Sequence, residues 1–312
     1  MALTLLESAK LNSGNVVKSA VIEMFARRSQ ILEVLPFESI PGGSVTYNRE
    51  GALPGIAFRG INESYTASTG VLNPQTDSVY ICGGDLDVDR FIIQTKGVAE
   101  RATQTEMKVK ALADTWTTKF IKGSNESDPR EFDGLQSRLL TTGSQVISAG
   151  STSGGAALSL AGKLDELIDL VDDPTHLIMS RAMRRLVRAA AKNPSISGQT
   201  IDVTKGAFGQ SVDTYAGLPI ITPYTNNSGT DPLGFTEAAS SGGATATSIY
   251  CVSIGPGRLV GIQNGEMDVR DLGELDTQPV FRTRCEWYAG LALYHGRAAA
   301  RLRHIGNLAV VA

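Results

Sequence analysis

Three aspartates at alternate positions, Asp85, Asp87 and Asp89, are the nearest approach in this 312-residue sequence to a metal-binding or acid–base cluster. A calcium loop starting at Asp85 needs glycine at its sixth position and glutamate at its twelfth, where Arg90 and Lys96 stand instead. The run from Gly83 alternates up to Arg90 as a strand does. The carboxylates then share one face while Leu86 and Val88 point inward, and a polar face paired with arginine is favoured over a metal site. His176 sits in an apolar strand, and His295 and His304 stand nine apart in an arginine-rich tail. None has the i, i+4 spacing of a helical metal pair, so all three read as structural. No serine lies in G-x-S-x-G, and no glycine-rich phosphate loop ends in Lys-Ser or Lys-Thr. Cys82, Cys251 and Cys285 form no C-x-x-C pair, which excludes a disulfide scaffold and a thiolate zinc site. The expectation is no catalytic residue, no cofactor and no metal.

The clear charge constellation is a pair of stripes. Arg181, Arg184, Arg185, Arg188 and Lys192 fall within roughly 100° of one helix face, backed by Met183, Leu186, Val187 and Ala190. The preceding helix carries Asp165, Asp169 and Asp172 on one face, with Glu166 and Asp173 beside it. Opposite stripes on neighbouring helices suggest ion pairs, within the subunit or between identical subunits; contact with nucleic-acid phosphate is the competing reading. Exposed pairs add little stability, so their use is in orienting an assembly.

The elements that must position these groups follow from periodicity. Thr4 and Glu7 have capping-box spacing at a helix start. Val16, Val17, Ala20, Val21, Met24 and Phe25 form an apolar stripe that Arg27 and Arg28 close. Residues 41–84 are a quarter Gly and Pro, with short β pieces at Ser44–Asn48 and Asp77–Ile81 and too few apolar residues for a core of their own. Such an excursion is marginal alone and must lie on something, in this chain or a neighbour. The spacing predicts a long helix over 99–122, with Val109, Leu112, Ala113, Trp116 and Phe120 inward and Gly123 ending it. Residues 141–162 read as a Gly/Ser/Thr-rich connector. Then come a helix (Leu164–Val171), a strand (His176–Met179), a helix (Arg181–Lys192) and short strands to about 276, with 224–248 a surface loop. A last long strand, Val280–Leu293, turns Phe281, Cys285, Trp287, Ala289, Leu291 and Leu293 one way and Arg282, Arg284 and Glu286 the other. This order is that of a mixed α+β protein with a discontinuous domain.

Composition sets outer bounds. Charged residues are 20% and apolar residues 42%, as in soluble globular proteins. With 29 basic and 32 acidic residues the net charge is −3, which argues against gripping nucleic acid by bulk electrostatics. The opening residues lack a basic start and carry Glu7, and no stretch reaches the roughly 18 apolar residues of a membrane span. The expectation is a soluble protein made in the cytoplasm, without membrane contact.

A chain with an arm, a Gly-rich excursion and a long helical brace resembles the major capsid proteins of tailed bacteriophages, which share the Hong Kong 97-type fold. The resemblance is carried in order by Ala2–Leu11, Tyr47–Gly55, Phe58–Glu63, Gly83–Asp89, Glu131–Leu135 and Trp287–Leu302. It implies an N-terminal arm (1–40), an extended E-loop hairpin (41–92), a P-domain (93–160 and 277–312) on a long spine helix, and an axial A-domain (161–276). It also implies pentamers and hexamers that close an icosahedral shell in the host cytoplasm around double-stranded DNA held without sequence-specific contact. A portal protein, a scaffolding protein and a decoration protein are the implied partners. Because the sequence starts with the arm, the scaffold is expected to be separate or absent. Candidate inter-subunit residues are Arg49, Glu50, Arg59 and Glu63 on the excursion, with Asp165, Asp169, Asp172, Arg181, Arg184, Arg185 and Arg188 on the two charged helices. Some members cross-link an E-loop lysine to a neighbour's asparagine; no lysine lies between Lys18 and Lys96, so a non-covalent shell is expected. The alternatives are an encapsulin-like compartment, a hydrolase using Asp85–Asp89, and a carbohydrate-binding module suggested by the Gly/Ser/Thr-rich loops.

Overall fold

The computed structural model describes residues 3–7, 21, 23–25, 28–97, 99–140, 143–151, 155–191, 201–205, 211–223, 231–243 and 245–311. The first half of the chain forms β1 (Leu3–Thr4), α1 (Gln30–Val34), β2 (Pro36–Ser39), β3 (Ser44–Ala52), β4 (Val71–Ser78), β5 (Tyr80–Asp89), α2 (Arg90–Lys96), α3 (Ala99–Lys122), α4 (Leu135–Arg138) and β6 (Val146–Ser148). The second half forms α5 (Asp165–Asp169, entered through a π turn), β7 (His176–Ile178), α6 (Arg181–Ala191), β8 (Ile201–Lys205), β9 (Ser211–Tyr215), β10 (Leu218–Ile221) and β11 (Ala246–Val252). β12 (Leu259–Gln263), β13 (Asp268–Glu274), β14 (Val280–Leu293) and β15 (Ala299–Gly306) complete it.

α3 has the bounds its periodicity predicts, about 36 Å of helix. Val109, Leu112, Ala113, Trp116 and Phe120 are all buried. It stops at Gly123 for a reason other than a left-handed turn. A Cβ there would lie 2.4 Å from the Phe132 carbonyl oxygen and 2.5 Å from that of Lys119, so the returning chain packs where a side chain would be.

β14 is the long strand of the first sheet, whose order is β1-β2-β12-β14-β13 with β5 also on β14. It pairs antiparallel with β5 from Val280↔Asp89 to Ala289↔Tyr80. Its odd-numbered face buries Cys285, Trp287, Ala289, Leu291 and Leu293. Trp287 lies at the centre of an aromatic cluster, with ring centroids 5.1 Å from Phe25, 5.0 Å from Phe37 and 5.9 Å from Trp116. Burying rings of this size contributes roughly 1.5–3 kcal/mol each, and the cluster ties α3 and β2 to β14.

The second sheet runs β6-β15-β11-β7-β10-β9-β8. Leu164, Leu167, Val171, Met183 and Val187 of the α5 and α6 regions pack with Leu177, Ile249, Cys251, Leu302 and Ile305 of the sheet in a second core. Sheet membership crosses the boundaries expected for the domains. β12 and β13 hydrogen-bond into the first sheet, and β6 and β15 into the second. The larger core draws on both sheets, with Ile178, Tyr250 and Val252 beside Trp287 and Leu291. Near it Arg301, 7% exposed, bonds Glu237 Oε2 at 2.9 Å, Ser248 Oγ at 3.1 Å and the Leu139 carbonyl at 3.1 Å.

Three expectations are corrected or confined. The proposed surface loop 224–248 is not all surface: β11 begins at Ala246 and is buried throughout, and Leu233 and Ala239 are buried before it. Pairing of the excursion is longer than its two short pieces, reaching Ala52 and Val71. The ladder absorbs Gly51 in a bulge and Pro74 on a strand without outer partners, where a missing N–H costs little. Val16, Val17, Ala20, Arg27 and Lys192 lie outside the described residues. The capping box at the start is present: the Thr4 amide donates to Glu7 Oε2 at 3.0 Å and the Glu7 amide to Thr4 Oγ1 at 3.4 Å.

Candidate assembly interface

The aspartate ladder is occupied by arginine. Register sets Asp85 opposite Arg284 and Asp87 opposite Arg282 across β5 and β14. Each guanidinium binds its carboxylate with two bonds, at 2.6 and 2.8 Å for Asp85 and 2.6 Å twice for Asp87. Those bonds hold both carboxyls below their ordinary range. Asp89 caps α2, accepting the Phe91 amide at 2.7 Å. All three carboxylates therefore serve the sheet and a helix start.

The other polar candidates are built in the same way. His176 Nδ1 lies 3.0 Å from Thr175 Oγ1, and burial lowers the ring's pKa. His304 Nδ1 lies 2.9 Å from Ser148 Oγ; burial, then Arg303 and Arg301, lower it. Burial pushes the Cys82 thiol up to about 11 and that of Cys251 up to about 12, far from a nucleophilic thiolate. Among the described residues no group of three His, Cys, Asp or Glu could hold a metal, and no helix is long and apolar enough to cross a membrane.

The basic stripe is present on α6; of the acidic stripe α5 carries Asp165 and Asp169, while Asp172 lies in the turn beyond it, and Arg184 and Arg188 turn to a third element. Arg188 Nη2 lies 2.5 Å and Arg184 Nε 3.7 Å from the carboxylate of Asp213, a side chain 1% exposed on β9. Asp165 accepts the Tyr215 hydroxyl at 2.8 Å, and Asp172 faces Arg297 at 3.4 Å. Arg181, Arg185 and Asp169 remain exposed on the outer faces.

The excursion is a hairpin of β3 and β4, roughly 30 Å long by strand rise. Its root is seated. Val45, Val79 and Tyr294 pack on the small cluster of Ile40, Val260, Ile262 and Ala292. Arg49 Nε donates to the Leu293 carbonyl at 3.1 Å, so this predicted inter-subunit residue anchors its own subunit. Glu50 is exposed beside it. The Tyr47 hydroxyl lies 2.8 Å from Asp77 Oδ2 and 2.8 Å from the Leu293 carbonyl oxygen. Asp77 Oδ1 accepts Arg138 Nη2 at 2.8 Å, and the same Nη2 donates to the Leu291 carbonyl at 2.7 Å. Sequence reasoning missed this root clamp, because its contacts to Asp77, Leu291 and Leu293 span 30 to 246 positions in no motif.

Beyond the root the hairpin leaves the body. Leu53 is 77% exposed, Ile56 96%, Phe58 107% and Ile61 93%. Isolated exposed apolar residues are ordinary, but four at the end of one projecting loop mark an interaction surface. Within this tip Arg59 donates to the Glu63 carbonyl, and the Glu63 carboxylate accepts the Gly60 amide.

Comparison with known proteins bears on what such a surface belongs to. Residues 13–161 match the family model of major capsid protein GP7. The fold matches the capsid of a native GTA particle, with a TM-score of 0.58 at 12% identity over 89% of this chain and 91% of the other. It also matches a structure from Microbacterium phage Oxtober96, with a TM-score of 0.61 at 12% identity over 88% and 90% of the two chains. Over residues 13–161 the chain is similar to a major capsid protein. The chain has the Hong Kong 97-type α+β fold its sequence implied. The same fold is found in the holo-SrpI encapsulin complex of Synechococcus elongatus PCC 7942, with a TM-score of 0.63 at 17% identity over 90% and 89% of the two chains. No curated protein matches the sequence.

Proposed function

We propose that this chain is a major capsid protein, that its copies form pentamers and hexamers that close an icosahedral head shell around double-stranded phage DNA, and that it is a structural component rather than an enzyme. The observation that carries this reading is the hairpin tip. Docked on a second copy, each buried apolar side chain of the tip contributes roughly 1.5–3 kcal/mol before ordering is counted. Repeated around every subunit, modest contacts close a shell. The exposed charges Glu50, Arg181 and Arg185, with Asp165, Asp169, Asp172 and the outer side of Arg188, then set register between copies rather than strength. The chain divides in this reading into arm (1–40), E-loop (41–92), peripheral domain (93–160 and 277–312) and axial domain (161–276). Assembly takes place in the host cytoplasm, with a scaffolding protein, a portal and any decoration protein as further partners. A near-neutral chain suits a container that must release its DNA.

The encapsulin match supports a second reading, a compartment that encloses protein. Expression alone and with a candidate scaffolding protein, followed by negative-stain electron microscopy, tests the shell. Closed shells or hexamer sheets are expected, and uniform monomers in both preparations overturn it. Nuclease-protected DNA in shells recovered from infected cells separates the phage head from the protein compartment.

A further inference from the structure

Between Ala52 and Gly70 the hairpin leaves its ladder, yet the tip closes on itself. The Gly60 amide donates to Glu63 Oε2 at 2.8 Å, and Arg59 Nη1 donates to the Glu63 carbonyl at 3.0 Å. The Arg59 guanidinium lies 5.2 Å over the Tyr65 ring, and Ser68 Oγ donates to the Gly55 carbonyl at 3.0 Å. Beside these contacts an open cleft of about 390 Å³ is lined by Gly55, Ile56, Ala57, Tyr65, Thr66 and Ser68. Ile56 at its edge and Phe58 and Ile61 outside it are each more than 90% exposed.

Every one of these bonds is solvent-exposed, so none adds appreciably to the stability of the fold. Their effect falls elsewhere. A loop of this length, if unrestrained, must be ordered when it docks, and that ordering opposes association. We propose that Arg59 and Glu63 are positioning residues: they pre-shape the tip so that Ile56, Phe58 and Ile61 meet a second copy of the chain as one rigid knob, and they make no contact with that copy themselves. The proposal rests on the reading that the tip docks on another subunit, and it changes the role of the two charges from partners to staples.

Loss of the staple should raise the critical concentration for shell formation by about three- to tenfold, since tenfold corresponds to about 1.4 kcal/mol per docking event. The melting temperature of the unassembled chain should not move. A covalent replacement distinguishes pre-shaping from contact. A Cβ at Gly55 would lie 4.0 Å from the Ser68 Cβ, within the span of a disulfide, while the native cysteines are buried or half-buried.

The experiment compares wild type, Phe58→Ser, Glu63→Ala and Glu63→Ala carrying Gly55→Cys and Ser68→Cys, by sedimentation velocity across a concentration series. Disulfide formation is confirmed by mass. Phe58→Ser and Glu63→Ala should both impair assembly, and oxidation of the double-cysteine variant should restore it while reduction removes the rescue. Impairment by Glu63→Ala that the formed disulfide does not rescue overturns the proposal, because Glu63 then touches the neighbour. Unimpaired Glu63→Ala beside impaired Phe58→Ser overturns the proposal alone. Unimpaired Phe58→Ser overturns the docking reading and the proposal with it.

Discussion

Removing either side of the Asp77–Arg138 pair should loosen the hairpin root while the two cores stay intact. The side chains are 10% and 14% exposed, so water screens them little. Asp77→Ala leaves the Arg138 guanidinium with the Leu291 carbonyl and, through Nε at 2.9 Å, the Asp133 carbonyl. Those acceptors soften the loss, and destabilisation of about 2–3 kcal/mol follows for one charge-assisted bond. Arg138→Ala leaves Asp77 with only the Tyr47 hydroxyl, so it should cost more, about 3–4 kcal/mol. The double variant should fall short of the sum by about 1.5–3 kcal/mol, the coupling of the pair. Urea unfolding measures the global terms, and amide hydrogen exchange over 44–52 and 71–78, compared with 109–120, shows where protection is lost. Additive single effects, or equal loss of protection in α3, would refute the claim that this pair holds the hairpin to the body.

Gly261→Ala would set a Cβ 2.4 Å from the Phe37 ring, which is 2% exposed and cannot withdraw, so about 1–3 kcal/mol of stability should be lost. Gly43→Ala, with nothing within 4 Å, should change stability by less than about 0.5 kcal/mol in the same unfolding assay. Stability should fall with acid in two stages. His176 and His304 have lowered pKa values, so their contribution is complete above the ordinary 6.5 and is lost as pH drops through their folded values below it. Asp85 and Asp87, also lowered, contribute fully above the ordinary 3.8 and lose that contribution only below it. Asn at both aspartates should flatten the limb below pH 4 in urea titrations and leave the slope between pH 7 and 5 unchanged. Arg181→Glu with Arg185→Glu should disrupt assembly with little change in melting temperature; unchanged assembly with a large drop would contradict an orienting role. Because β3 and β4 contain no lysine, denaturing gels of assembled shells should show single subunits, and a ladder of bonded multimers would show otherwise.

Periodicity alone settled the elements that face a core. α3, α6 and β14 have strong one-sided patterns, and Trp116, Trp287 and the Met183–Val187 stripe are buried where those patterns put them. The Asp85–Asp89 alternation likewise announced a strand with an arginine-paired face. Local signals end where contacts span long stretches of chain. Nothing beside Asp213 in sequence says that two arginines of α6 will close on it, or that Glu237, 64 positions away, will meet Arg301. Sheet order decided those meetings, by setting β9 near α6 and β11 beside β15. The hairpin shows the same division. Its poverty of apolar residues showed that it needs a support. Only the folded chain showed that Arg49 and Tyr47 hold its root at home and that Arg59 and Glu63 fold its tip inward. A charged residue in a sequence carries no mark of which partner it will take, because that choice depends on distances fixed only when the sheets close.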